Sequence, residues 1–116
     1  MANRYPTARI RLALREGVDF GPGKAQLLEG IRDTGSIAAA GRQMKMSYSR
    51  AWKLVDEMNA GFRGPLVASA KGGADHGGAS LTPLGLQVLA HYRRIEVLAA
   101  RAAASDLAAL RRSVAA

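Results

Sequence analysis

Apolar and polar residues alternate from Arg9 to Arg15, with Ile10, Leu12 and Leu14 on one side and Arg9, Arg11 and Arg15 on the other. A period of two is that of a half-buried strand. Gly17 and the Gly21-Pro22-Gly23 cluster then interrupt the chain. The period turns helical with Leu27, Leu28 and Ile31. Pro22 suits the first turn of that helix, where its missing N–H would have no partner, and Gly35 suits its end. The first helix is therefore predicted over Pro22 to Thr34. Ser36 is a good N-cap for a second, short helix with Ile37, Ala40 and Met44 on its apolar side. Its small residues, Ala38, Ala39, Ala40 and Gly41, let another helix cross close by. Ser47 caps a third helix, Tyr48 to Phe62, whose core face is Ala51, Val55, Met58 and Phe62, with Leu54 beside it.

Gly64-Pro65 stops that helix. A strand-like piece from Leu66-Val67 to Lys71, a glycine-rich loop to Gly78, and Ala79-Ser80-Leu81 read as a β-hairpin. Thr82-Pro83 then supplies an N-cap and a proline at the first helical position. Leu84, Val88, Tyr92, Ile95 and Leu98 form the apolar stripe of the helix that follows. The helical pattern runs on to about Arg112, or else Ser105-Asp106 caps a separate helix from Leu107 to Val114. Unbroken, some 30 residues would span roughly 45 Å. That exceeds the width of so small a domain, so part of the helix would need a partner. Two capped helices joined by a short turn make a helix-turn-helix. The expected fold is mainly α with a small β wing: a winged helix-turn-helix with a long C-terminal dimerisation helix. Residues 1–97 form the expected DNA-binding domain, and residues 98–116 a helical extension that contacts a second copy.

Charge sharpens this picture. The chain has 116 residues, enough for one domain, and a formal net charge of +8. That surplus points to a polyanion such as DNA, RNA or an anionic membrane, the alternative being a generic solubility charge. Between Ser36 and Val55 stand Arg42, Lys45, Arg50 and Lys53, and no acidic residue. This window coincides with the helix-turn-helix. Arg50 and Lys53 are three residues apart and share the face opposite Ala51 and Val55. Ser47, Tyr48, Ser49 and Arg50 form the first turn of the third helix, the part of such a motif that enters the major groove. Arginine can grip guanine through two hydrogen bonds, and serine and tyrosine can reach bases or phosphates. Ser36, Arg42, Lys45 and, at the hairpin, Lys71 complete the candidate DNA contacts. His76 reads as a surface turn residue. Trp52 reads as a packing residue against the wing or the last helix, with a place at the DNA border as the alternative.

Other chemistries fail on inspection. Gly23-Lys24 looks like the end of a phosphate loop, but Val18 and Ala25 stand where glycine and Ser or Thr are needed. There is no cysteine, and His76 and His91 lie far apart, so no metal or other cofactor is expected. The nine carboxylates are scattered, and no nucleophile elbow appears, so the chain does not read as an enzyme. Aromatics make up 5% and offer no paired platform for RNA. No apolar run of about 18 residues exists, and Met1 to Arg15 does not read as a signal peptide. A cytoplasmic protein without membrane contact is expected.

The run Thr34-Gly35-Ser36-Ile37, Met46-Ser47-Tyr48, Ala51-Trp52, Glu57-Met58-Asn59, Leu66-Val67, Gly72-Gly73, Gly77-Gly78 and Leu81-Thr82 through Gly85 resembles the N-terminal domain of ModE-type molybdate-responsive regulators. The similarity covers about Pro22 to Glu96. More loosely, the Gly-Ser-Ile opening resembles the DNA-binding part of LysR-type regulators. The resemblance implies a winged helix-turn-helix that dimerises through terminal helices and binds a palindrome-like operator near genes for molybdate uptake or molybdoenzymes. It also implies that Ser47, Tyr48, Ser49, Arg50 and Lys53 lie at the DNA. Family members carry C-terminal domains that bind molybdate or tungstate. This chain stops at Ala116, and no molybdate site is expected in it. The family often has glycine where Lys45 stands. A left-handed backbone there would cost lysine roughly 1 kcal/mol, which a phosphate contact would offset. The other reading left open is a protein-interaction winged helix whose charge is incidental, although such a docking face would not need an acid-free window.

Overall fold

The computed structural model describes residues 9–69 and 78–116. Strands β1 (Leu12–Arg15) and β2 (Val18–Phe20) form an antiparallel hairpin. Helices α1 (Pro22–Thr34), α2 (Ile37–Gln43) and α3 (Tyr48–Gly61) follow, then the antiparallel wing strands β3 (Val67–Ser69) and β4 (Ala79–Leu81). Helices α4 (Pro83–Ala102) and α5 (Ala104–Arg112) close the chain. This is the expected winged helix-turn-helix.

The helices start and stop for the predicted reasons. Pro22 opens α1, and Gly35 closes it in a left-handed conformation (φ 72°) while its N–H donates to the Ile31 carbonyl. Ser36, Ser47 and Thr82 each accept a backbone N–H three residues on. Small residues do set the crossings. A Cβ on Gly30 would stand 2.8 Å from the Ala40 Cβ, and one on Gly41 would stand 3.0 Å from the Ala51 Cβ. Larger side chains would push α1 from α2, or α2 from α3.

Leu27, Leu28 and Ile31 of α1, Ile37 and Ala40 of α2, and Ala51, Val55 and Met58 of α3 are all buried in one core. Phe20 meets Tyr92 edge to face at 5.2 Å and Phe62 at 6.2 Å. The Tyr92 hydroxyl donates to the Ile10 carbonyl, which ties α4 to the start of the hairpin. Burial pushes the Tyr92 phenol above its ordinary pKa. On the other side of α4, Arg93 grips Glu29 of α1 with two hydrogen bonds, 2.7 and 2.9 Å, and Glu96 with a third of 2.7 Å. Those bonds to Glu29, then to Glu96, raise its pKa further.

Three expectations need correction, and one element is new. β2 was not anticipated. Leu14 does not face inward: it is 51% exposed, because the ladder slips between Ala13 and Arg15 and turns the strand before the left-handed Gly17. The stripe on α4 packs on the core only as far as Tyr92, whereas Ile95 and Leu98 are 38% and 46% exposed, because the helix runs past the core. The terminal helix does not run unbroken to Arg112: it breaks at Ala103, two residues before the Ser105-Asp106 cap of the alternative reading. Smaller shifts end α3 at Gly61 and start β3 at Val67.

Candidate nucleic-acid interface

The turn between α2 and α3 aims the second helix, and its backbone is specific. The Met46 N–H donates to the Gly41 carbonyl and the Lys45 N–H to the Arg42 carbonyl, each at 3.0 Å. That pair of bonds is the Schellman closure, which wants a left-handed residue between its arms. Lys45 occupies that position at φ 58°, the one non-glycine residue with positive φ among the described residues. A left-handed L-residue costs roughly 1–2 kcal/mol relative to right-handed backbone.

Behind the turn, the Ser47 Oγ accepts the Arg50 N–H at 3.1 Å and lies 3.3 Å from the Ser49 Oγ. No acidic residue stands in the first turn of α3. The positive end of the helix dipole and its remaining free N–H groups therefore face outward without a carboxylate to satisfy them. Ser47, Tyr48, Ser49, Arg50 and Lys53 are exposed, Tyr48 by 61%. Arg42 and Lys45 are exposed beside them, and Ser36 is half-buried with its Oγ accepting the Ala39 N–H at 3.0 Å. Among the described residues, none of Arg42, Lys45, Arg50 and Lys53 enters an ion pair. Lys24 behaves differently: its amine donates to the Asp19 carbonyl at 2.9 Å and lies 3.8 Å from Glu57. That amine works as an internal tie.

The wing is fastened at its base by side chains from α3 and α4. Asn59 accepts the Leu66 N–H at 2.9 Å and the Val67 N–H at 3.1 Å, and donates to the Val67 carbonyl at 3.1 Å. Thr82 caps α4 and also donates to the Pro65 carbonyl at 2.7 Å. A Cβ on Gly85 would lie 2.2 Å from the Leu66 carbonyl oxygen, so only glycine fits there. From the other strand, the Ala79 N–H donates to the Gly35 carbonyl at 2.8 Å, joining the wing to the turn before α2. Lys71 and His76 lie outside the described residues. Trp52 is half-buried, packs on the core, and meets Tyr48 edge to face at 6.2 Å. Its indole N–H is buried without an acceptor among the described residues.

Residue reasoning gave Asn59 and Gly85 no role of their own. Asparagine inside a helix is a weak signal of a side chain bonded to backbone, since it is a poor helix former. Eight of the nine predicted contacts fall on described residues, and all eight belong to α2, α3, their caps and the turn between. The resulting surface offers hydrogen-bond donors and positive charge, which is chemistry for holding phosphates and purine edges. No cluster of three or more metal-binding side chains exists among the described residues. No helix among them is long and apolar enough to cross a membrane.

No family model matches the chain. It is similar to the molybdenum-pterin-binding protein MopB of Rhodobacter capsulatus, 44% identical over 82 residues, covering 71% of this chain and 30% of MopB. The molybdenum transport protein ModE of Azotobacter vinelandii is 37% identical over 90 residues, 78% of this chain and 33% of that protein. The DNA-binding transcriptional dual regulator ModE of Escherichia coli K12 is 34% identical over 83 residues, 72% and 32% respectively. The chain thus spans about a third of the length of these relatives. In fold it is similar to the CbnR DNA-binding domain solved as a DNA complex, with a TM-score of 0.60 and 24% identity over 76% of this chain and 95% of that one. The sequence identity over 82 to 90 residues and the observed winged helix-turn-helix agree, and the chain is similar to the winged-helix portion of ModE-type proteins.

Proposed function

We propose that this chain binds double-stranded DNA as a sequence-specific transcription regulator of the ModE type, controlling genes for molybdate uptake or molybdoenzymes. The observation that carries the reading is the row of exposed cations, Arg42, Lys45, Arg50 and Lys53, free of ion pairs among the described residues, around the N-terminus of α3. Arg50 reads bases in the major groove, with Tyr48 and Ser49 beside it. Ser36, Arg42, Lys45, Ser47 and Lys53 hold phosphates, and Lys71 follows the backbone from the wing. Residues 1–97 make the DNA-binding domain. Residues 98–116 and the exposed end of α4 join two copies, so that two α3 helices enter major grooves about 34 Å apart. The protein works in the cytoplasm and does no catalysis.

Fluorescence anisotropy tests this, with a promoter fragment from a molybdate-transport operon and a random duplex, each at two salt concentrations. The promoter should bind more tightly, and affinity should fall steeply with salt as counterions are released. Arg50→Ala should weaken promoter binding by roughly 1–3 kcal/mol. Undiminished binding by Arg50→Ala, or salt-insensitive binding by the wild type, overturns the assignment.

A further inference from the structure

The β1–β2 hairpin, the foot of α3 and the first half of α4 enclose an open cleft of about 660 Å³. That volume lies in the range of roughly 300–1,000 Å³ that small-molecule sites occupy. Two kinds of side chain line it. Leu14, Phe62 and Val88 give it apolar walls. Arg15, Arg63 and His91 stand among them, all exposed. No carboxylate lines the cleft, and neither arginine enters an ion pair among the described residues. Leu14 reaches the cleft because the slip in the β1 ladder turns it out of the core.

We propose that this cleft binds a small organic carboxylate with an apolar body. Its body would cover Leu14, Phe62 and Val88, and its carboxylate would take the planar fork of Arg15 or Arg63, a geometry that matches two parallel N–H···O bonds. The His91 imidazole adds a ring N–H. An inorganic oxyanion would leave the apolar walls wet, and a duplex backbone presents mainly its charged phosphates to a protein surface. The site is also remote from the basic surface around Arg50: it touches the end of α3 at Ala60 and Gly61 and the Phe62 that follows, whereas Ser47 to Arg50 open the same helix. Fourteen residues of helix separate the two ends by about 20 Å. The inference therefore does not rest on DNA binding.

The test is an amide-resolved NMR titration of the full chain at fixed ionic strength with 4-phenylbutyrate and octanoate, against 4-phenylbutanol and octanol. Expected are saturable shifts centred on Leu14, Gly61, Phe62 and Val88, with at least one acid binding about tenfold more tightly than its alcohol. Arg15→Ala and Arg63→Ala together should remove that preference. Both side chains are exposed, and an unchanged thermal melt shows that the double variant folds. Shifts that do not saturate overturn the proposal. So do equal affinities for acid and alcohol, acid-induced shifts confined to the surface around Arg42 and Arg50, or a double variant that keeps the preference.

Discussion

Asn59 and Val67 exchange two hydrogen bonds across the root of the wing: the Val67 N–H donates to the Asn59 Oδ1 and the Asn59 Nδ2 donates to the Val67 carbonyl, both at 3.1 Å. A side-chain amide thus copies the pairing of a neighbouring strand, and the Leu66 N–H adds a third bond to it. This one side chain ties the wing directly to α3. Asn59→Ala leaves three backbone groups without partners and should cost about 2–3 kcal/mol, read as a lower denaturant midpoint. Hydrogen exchange at the Leu66 and Val67 amides should quicken more than exchange in α1. Equal quickening everywhere would mean that Asn59 supports the whole domain and not the wing in particular.

Lys45 trades stability against charge. Its φ of 58° is strained for lysine and free for glycine, although glycine gives back part of the gain through its looser unfolded chain. Lys45→Gly should therefore stabilise the domain by about 0.5–1 kcal/mol in chemical denaturation. The same change removes an exposed cation from the turn before α3. Promoter affinity should fall, and the slope of log affinity against log salt should flatten by about one unit. A variant more stable and equally tight on DNA would show that this lysine touches no phosphate.

Much of this architecture is legible in the residues because its signals are local. Pro22 and Gly35 bound α1, while Ser36, Ser47 and Thr82 announce three further helices, and glycines flank the wing. The candidate surface is legible for the same reason: an acid-free run of cations falls on two adjoining helices. What stays hidden depends on distant partners. Val18-Asp19-Phe20 is too short to show a period, and becomes a strand only by pairing with β1. Leu14 alternates correctly along the chain, yet faces solvent because the ladder slips beside it. The break at Ala103 falls inside an alanine-rich stretch that contains no residue to stop a helix. Asn59 needs the Leu66-Val67 backbone beside it before its role exists.

Tyr92 sets an alkaline limit on stability. Its phenol is buried, donates to the Ile10 carbonyl, and has a folded pKa above the ordinary value of 10.0, burial being the main cause. A raised folded pKa means that the native state holds this proton more tightly than the unfolded chain does. The stabilisation is fully present below the unfolded pKa of about 10 and is lost as pH rises through the folded value. Melting curves from pH 8 upward should show the wild type losing stability relative to Tyr92→Phe above pH 10. Parallel curves would mean that the phenolate forms without cost. At pH 8 the phenylalanine variant should be weaker by about 1 kcal/mol, the worth of the hydrogen bond.

The exposed end of α4 tests how two copies meet. Along its core-facing stripe Tyr92 is buried, yet Ile95 and Leu98 are 38% and 46% exposed, and Leu110 on α5 is 66% exposed. The molecule extends 54 Å along its longest axis with a radius of gyration of 16.2 Å. A compact domain of this length would have a radius of about 13 Å. The helical end therefore stands clear of the core with apolar side chains on it, a surface that burial in a dimer would dry. Leu98→Glu places a charge there without disturbing the monomer, whose core ends at Tyr92. An unpaired charge buried at the contact costs about 3 kcal/mol or more, enough to weaken association by roughly a hundredfold. Light scattering at micromolar concentration should give a dimer mass for the wild type and a monomer mass for Leu98→Glu, with unchanged helical circular dichroism. On DNA with two half-sites the variant should also lose affinity, while on one half-site it should match the wild type. A wild-type monomer, or a Leu98→Glu dimer, would place the contact elsewhere on the molecule.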